Sequence, residues 1–264
     1  MGHKVNPRVY RIGTVYQPTS RWFTKKQDFP TKLKEDLEIR EIIKTKFRNS
    51  GVARVDIERS SGAVTITMHT SKPGVIIGRG GSGIDELKKT IKKNVYGSTK
   101  IVINISIQEV AKPDTSAELI VQNIAEQLEK RIPFRRAMKR AIESSRRAGA
   151  EGVRITVSGR LNGAEIARTE TLTEGSLPLH TLRANIDYSR GVARTIFGAI
   201  GIKVWIYTGD VFEGDEKKEE AAPEKRRTSF RRGPVRNVAA KEGTTATPRP
   251  RRKANVPTQP VKAD

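Results

Sequence analysis

Ten residues, Val75 to Ile84 (V-I-I-G-R-G-G-S-G-I), restrict the fold of this chain more than any other stretch. An aliphatic run stops at Gly78, two residues pass, and Gly81 opens an amphipathic segment that includes D-E-L-K-K-T-I-K-K. A G-x-x-G turn between two short helices lets a sugar-phosphate chain come close to the backbone, because no Cβ stands in the way. Amides at the start of the second helix face such a chain, with the positive end of the helix dipole behind them. Arg79 adds a cation within the turn.

The same letters spell G-x-G-x-x-G (Gly78, Gly80, Gly83), the dinucleotide-binding fingerprint. That reading needs a full strand before the first glycine and an acidic residue about twenty positions on. Pro73-Gly74 leaves only Val75 to Ile77 before the turn, and the next strand-like run offers Asn104 and Gln108 where an acid is wanted. No Gly-Lys-Ser/Thr follows, so the P-loop pattern fails as well.

The flanks decide the matter. Leu33, Leu37, Ile39, Ile42, Ile43 and Phe47 recur at helical steps from Thr31 onward. Val52 to Glu58 and Ala63 to His69 alternate apolar and polar residues around Ser60-Ser61-Gly62, which predicts a hairpin. After the glycine turn comes a helix from Ser82 to about Asn94. A strand from Lys100 to Ile107 follows, with Ile101, Ile103, Ile105 and Ile107 on one face. This order, α-β-β-α-α-β with the glycine turn between the middle helices, is that of a type II KH nucleic-acid-binding domain. It spans residues 31–111.

Composition agrees with a polyanionic partner. Lys and Arg number 51 against 29 acids in 264 residues, a net charge of +22. A surface so positive repels itself without such a partner, and no strongly apolar helix accompanies it to favour a membrane. There is no Cys, so thiolate metal sites and disulfides are excluded. His3, His69 and His180 stand apart, with no metal-ligand spacing. No catalytic residues, cofactor or metal are expected. No secretory signal or membrane span is legible, and the expected location is cytoplasmic.

Residues 1–30 read as a basic extended arm that either packs back on its own domain or lies along RNA. A second small α/β domain is expected over 112–212, beginning after Lys112-Pro113-Asp114 with a helix capped at Thr115 or Ser116. A helix over Phe134–Ala148 follows, then strands over Val153–Ser158 and Ala164–Thr171. Leu182–Tyr188, a helical piece near Gly191–Phe197 and Ile202–Tyr207 complete it. From 213 on, acidic then basic residues with Pro and Gly predict a disordered charged tail. The fold class is therefore α+β: a KH domain, a small α/β domain and a tail.

On a helical wheel, Phe134, Ala137, Met138, Ala141, Ile142 and Ala148 fall on one arc. Arg135, Arg136, Lys139, Arg140, Arg146 and Arg147 fall on the other, with Glu143 the only acid among them. Like charges at helical spacing repel by a few tenths of a kcal/mol each, and the sequence shows no compensation within the chain. The reading is a rigid cationic comb for phosphates. Candidate RNA-binding residues are Gly78, Arg79, Gly80, Gly81 and Lys88 in the first domain. In the second they are Arg131, Arg135, Arg136, Lys139, Arg140, Arg146 and Arg147. Glu165 and Glu170 invite an enzymatic reading as paired carboxylates, but in so basic a domain they are expected to pair with Arg160 and Arg168.

These segments complete a resemblance over about residues 1–212. M-G-H-K-V-N-P, P-G-V-I-I-G-R-G-G, F-R-R-A-M-K-R-A, S-G-R-L-N-G-A-E-I-A-R-T-E, P-L-H-T-L-R-A-N-I-D-Y and G-I-K-V-W-I-Y resemble bacterial-type small-subunit ribosomal protein three. The resemblance implies a structural protein of the subunit head, not a homo-oligomer, that binds 16S-type rRNA beside small-subunit proteins ten and fourteen. It also implies a place where mRNA enters, near proteins four and five, with Arg135, Arg136 and Lys139 assisting the unwinding of incoming mRNA. The chain departs from the family pattern in the arm (R-V-Y-R-I-G), at Asn185, where an aspartate is common, and at Arg79-Gly80, which carries one cation where relatives often have two.

Overall fold

A computed structural model describes residues 4–48, 50–60, 62–97 and 101–212; His3, Ser61, Lys100 and the charged tail from 213 on lie outside them. The helices are α1 (Pro7–Tyr10), α2 (Phe29–Lys46), α3 (Pro73–Ile77), α4 (Ser82–Ile91), α5 (Ala117–Glu129) and α6 (Phe134–Arg147). The strands are β1 (Ser20–Arg21), β2 (Val52–Ser60), β3 (Ala63–Thr70), β4 (Val102–Glu109), β5 (Gly152–Gly159), β6 (Arg168–Gly175), β7 (Ala184–Thr195) and β8 (Gly198–Asp210).

β1, β2, β3 and β4 form one sheet in that order, with β2–β3 antiparallel and the two outer pairings parallel. The period-2 pattern of β3 puts Val64, Ile66 and Met68 on one face, where they meet Ile39 and Ile43 of α2 and Leu87 and Ile91 of α4. Ile103 packs into the same core, and Ile101, Ile105 and Ile107 pack against it. This is the KH half, with α3, the glycine turn and α4 joining β3 to β4. A helix, not a strand, precedes Gly78, which removes the dinucleotide fold on structural grounds.

The second sheet is antiparallel throughout, in the order β6-β5-β8-β7. Val153, Ile155 and Val157 of β5, with Ile202, Val204 and Ile206 of β8, are buried in one core with α5 and α6. Each such side chain contributes about 1.5–3 kcal/mol on burial. Two expectations need correction here. Gly191–Phe197 is not helical: β7 runs on to Thr195, and a two-residue tip, Ile196-Phe197, returns the chain to β8 at Gly198. Eleven ladder partnerships along β7–β8 outweigh a local helical preference that packing does not support. The α5 cap is not made by Thr115 or Ser116. Ser116 occupies the cap position, but the Ala117 N–H donates to Oδ2 of Asp187 on β7 at 2.8 Å. The acidic side chain also suits a helix N-terminus.

The amino-terminal arm packs back, and it does so on both halves. Asn6 accepts the Arg8 N–H at 2.9 Å and starts α1. Arg11 is fully buried, donating to the carbonyls of Pro7, Leu179 and Thr181 at 2.9, 3.0 and 2.8 Å. Tyr16 donates its hydroxyl to Asn185 Oδ1 at 2.6 Å, so Asn185 serves as a neutral acceptor for a half-buried phenol. Burial first, then the Asp187 charge, push that phenol well above its ordinary pKa. Further on, β1 pairs with β2, and Trp22 Nε1 donates to the buried Asp36 at 2.8 Å. Arg40 donates to the Thr19 carbonyl and to Ser20 Oγ at 3.0 and 2.9 Å.

Candidate nucleic-acid interface

At the glycine turn three left-handed residues follow in close order: Gly78 (φ 69°), Gly80 (φ 60°) and Gly81 (φ 84°). Gly81 is the N-cap of α4, and Gly78, Arg79 and Gly80 are exposed. A Cβ built on Gly80 or Gly81 meets nothing within 4 Å, so the space outside the turn is open to a ligand. Gly83 is different in kind. A Cβ there collides with the Ile76 carbonyl, which makes Gly83 the residue that lets α3 and α4 pack. Lys88 lies half-buried on α4, two turns in from the loop.

Along α6, Phe134, Ala137, Met138, Ala141, Ile142 and Ser145 are buried, and the six cations of the opposite arc are all exposed. The comb is nevertheless not uncompensated, as the sequence implied. Arg135 pairs with Glu170 at 3.3 Å, Arg146 with Glu174 at 3.4 Å, and Arg147 with Glu143 at 3.5 Å. The first two carboxylates come from β6, whose exposed edge runs beside the helix, and the third from α6 itself, so three of the six cations are paired, two of them by the neighbouring strand. Arg136, Lys139 and Arg140 have no carboxylate within 4 Å among the described residues. Spaced i, i+3 and i+4, they are neighbours on one face.

Arg135 is also held in place. Its guanidinium lies over the Phe134 ring at 5.8 Å, and that of Arg168 at 5.5 Å, with Glu170 shared between the two. Hydrogen bonds from Arg168 and then Arg135 hold the Glu170 carboxyl below its ordinary range. The expected Glu170–Arg168 pair is thus present at 3.0 Å, while Glu165–Arg160 is not formed. The chain turns back at Asn162 (φ 57°), and Arg160 donates instead to the Ala164 and Phe197 carbonyls at 2.8 and 3.4 Å. Sequence reasoning missed the positioning of Arg135 by Arg168, although Arg168 and Glu170 share one face of a strand by their two-residue spacing.

Arg131 stands between α5 and α6 with φ 61°, where glycine is usual. The Arg131 N–H bonds the Leu128 carbonyl and the Ile132 N–H the Gln127 carbonyl, both at 3.0 Å, which closes a Schellman turn around an arginine. The candidates therefore fall into two groups, one built on backbone at the turn and one on side chains at α6 and its entrance. Among the described residues no cluster of His, Asp and Glu could hold a metal ion, and no helix is long and apolar enough to cross a membrane.

Two family models match the chain: a KH domain over residues 38–115 and the C-terminal domain of ribosomal protein S3 over 124–206. The chain is also similar to proteins named small ribosomal subunit protein uS3 from three bacteria. It is 47% identical to that of Laribacter hongkongensis over 91% of this chain and 100% of the relative. To that of Coxiella burnetii it is 48% identical over 85% and 97%, and to that of Desulforamulus reducens 48% over 84% and 98%. With a KH half carrying the open glycine turn, a second sheet carrying the cationic helix, and such identity along nearly its whole described length, the chain belongs to the small ribosomal subunit protein uS3 family.

Proposed function

We propose that the chain binds 16S-type rRNA in the head of the small subunit and presents α6 to incoming mRNA, assisting its unwinding during translation. As a uS3-family protein it is a structural, RNA-binding constituent of the small ribosomal subunit and not an enzyme. The finer reading is carried by one observation. Arg136, Lys139 and Arg140 form a contiguous exposed triad without carboxylates among the described residues, on a helix whose other cations are paired. Such a triad captures phosphates of a strand that has just melted and keeps the base pair from closing again, with no hydrolysis by the protein. Arg135, held beside it by Phe134 and Glu170, is a pre-positioned fourth cation.

The division behind this reading, a KH domain over 31–111 and a second domain over 112–212, is supported by the two separate hydrophobic cores. Small-subunit proteins ten and fourteen are the expected neighbours in the head, and four and five those at the incoming side of the mRNA channel. The test is translation by subunits carrying Arg136→Ala, Lys139→Ala and Arg140→Ala. Messages with a stable hairpin are expected to slow while unstructured messages keep their rate; equal slowing on both overturns the unwinding role.

A further inference from the structure

One end of the second sheet collects features that the cationic helix does not explain. α5 ends there at Glu129 and α6 begins at Phe134; the loop from β5 to β6 and the tip between β7 and β8 close the same end. The parts touch. Arg194 N–H donates to Glu129 Oε1 at 3.2 Å, and Arg160 Nη1 donates to the Phe197 carbonyl at 3.4 Å. The Phe197 ring rests on Gly163, where an added Cβ would lie 3.1–3.4 Å from three ring carbons. Gly163 thus supports one side of the ring, which is still 55% exposed. Ile196, at 76%, shares the tip, and Ile166, at 83%, follows Gly163 by three residues.

Single apolar side chains in water need no explanation. Here three stand in two touching loops among Arg131, Arg160 and Arg194, whose guanidinium groups have no carboxylate within 4 Å among the described residues. We propose that Phe197 is a stacking platform for a base of the single-stranded RNA whose phosphates α6 holds; the proposal rests on that reading of α6. A protein partner covering Phe197 would strip water from nearby guanidinium groups and would have to supply acids to match them. A nucleotide brings both halves of the required ligand, a flat π face for the ring and a phosphate for arginine. Every base has such a face, so the site takes single strands with little regard to sequence. Its place beside the start of α6 lets one strand pass from ring to cations.

The experiment uses the full chain and fluorescence anisotropy with two probes of equal length, a 12-mer of oligoadenylate and an abasic ribose-phosphate 12-mer. Phe197→Leu keeps an apolar contact on Gly163 and removes the π face. It is expected to weaken oligoadenylate binding about five-fold or more, the low end for loss of one base–aromatic stack. The abasic chain should bind as before, and Phe197→Trp should retain oligoadenylate affinity. Unchanged oligoadenylate binding by Phe197→Leu, or equal loss on both probes, overturns the proposal. Should Phe197→Leu impair folding, ultraviolet cross-linking of the unaltered chain to oligouridylate reads the same contact. An adduct on the peptide Thr195–Lys203 supports the platform, and its absence from that peptide overturns it. Arg136→Ala/Lys139→Ala/Arg140→Ala in the same assay should weaken both probes; if it weakens neither, the reading of α6 fails whatever Phe197 does.

Discussion

At the glycine turn the atoms offered to a ligand belong to the backbone, three left-handed glycines and one exposed arginine with open space before them. Along α6 they belong to side chains, standing on the exposed face of an amphipathic helix. The first surface is fixed by shape and should tolerate loss of charge better than the gain of a Cβ at its packed glycine. The second is fixed by charge, and its shape is that of any amphipathic helix. On the proposed reading these are two ways of meeting the same polymer, and they should fail differently under salt and under substitution.

The sharpest separation lies in the salt dependence of single-stranded RNA binding. Removing Arg136, Lys139 and Arg140 together should flatten the slope of log affinity against log salt by about two, at about 0.7 per lost phosphate contact. Between 50 and 200 mM salt that shrinks the loss of affinity by about twenty-fold. Arg146→Ala, the paired control, should leave the slope near its original value; equal flattening by both would erase the distinction between paired and unpaired cations. Next in size, Gly83→Ala should destabilise the KH half by about 1–3 kcal/mol through collision with the Ile76 carbonyl. Gly80→Ala, which faces open space, should cost only about 1 kcal/mol for its left-handed backbone. Urea midpoints rank the two, and equal costs would mean that α3–α4 packing does not hold the turn. The smallest effect carries two signs. Arg131→Gly should raise stability by about 0.5–1 kcal/mol, because glycine accepts the left-handed turn. It should also flatten the salt slope by about 0.7; a thermal melt that falls would show that the arginine contributes packing.

The KH half was legible because its signals are local. Val64, Ile66 and Met68 alternate, Ile39 and Ile43 repeat at a helical step, and the glycine turn sits between them. The apolar face of α6 was legible for the same reason. What could not be read were partners brought from afar: Glu170 and Glu174 of β6 for Arg135 and Arg146, Asp187 of β7 for the start of α5, Asn185 for Tyr16. A helical wheel counts the charges of one element and is blind to those of the strand beside it. It therefore gave the right face and overstated how much of that face is free. The tip at Ile196-Phe197 failed otherwise, since Gly191 to Ala193 has no strong preference and the β8 ladder decides.

Arg11 finds its acceptors at Pro178, Leu179 and Thr181, 167 to 170 residues further along. At about 5–20 residues per second, a ribosome takes about ten to thirty seconds to synthesise that distance. The first segment to emerge is therefore among the last to be seated. In the meantime the KH half can form with its arm fastened at one end only, through β1 on β2. A nascent chain that stops short of Pro178 lacks the carbonyls that Arg11 needs and is left holding a guanidinium it has no means to bury. The clamp thereby distinguishes a chain that extends past Thr181 from one that stops short of Pro178, by the accessibility of Arg11.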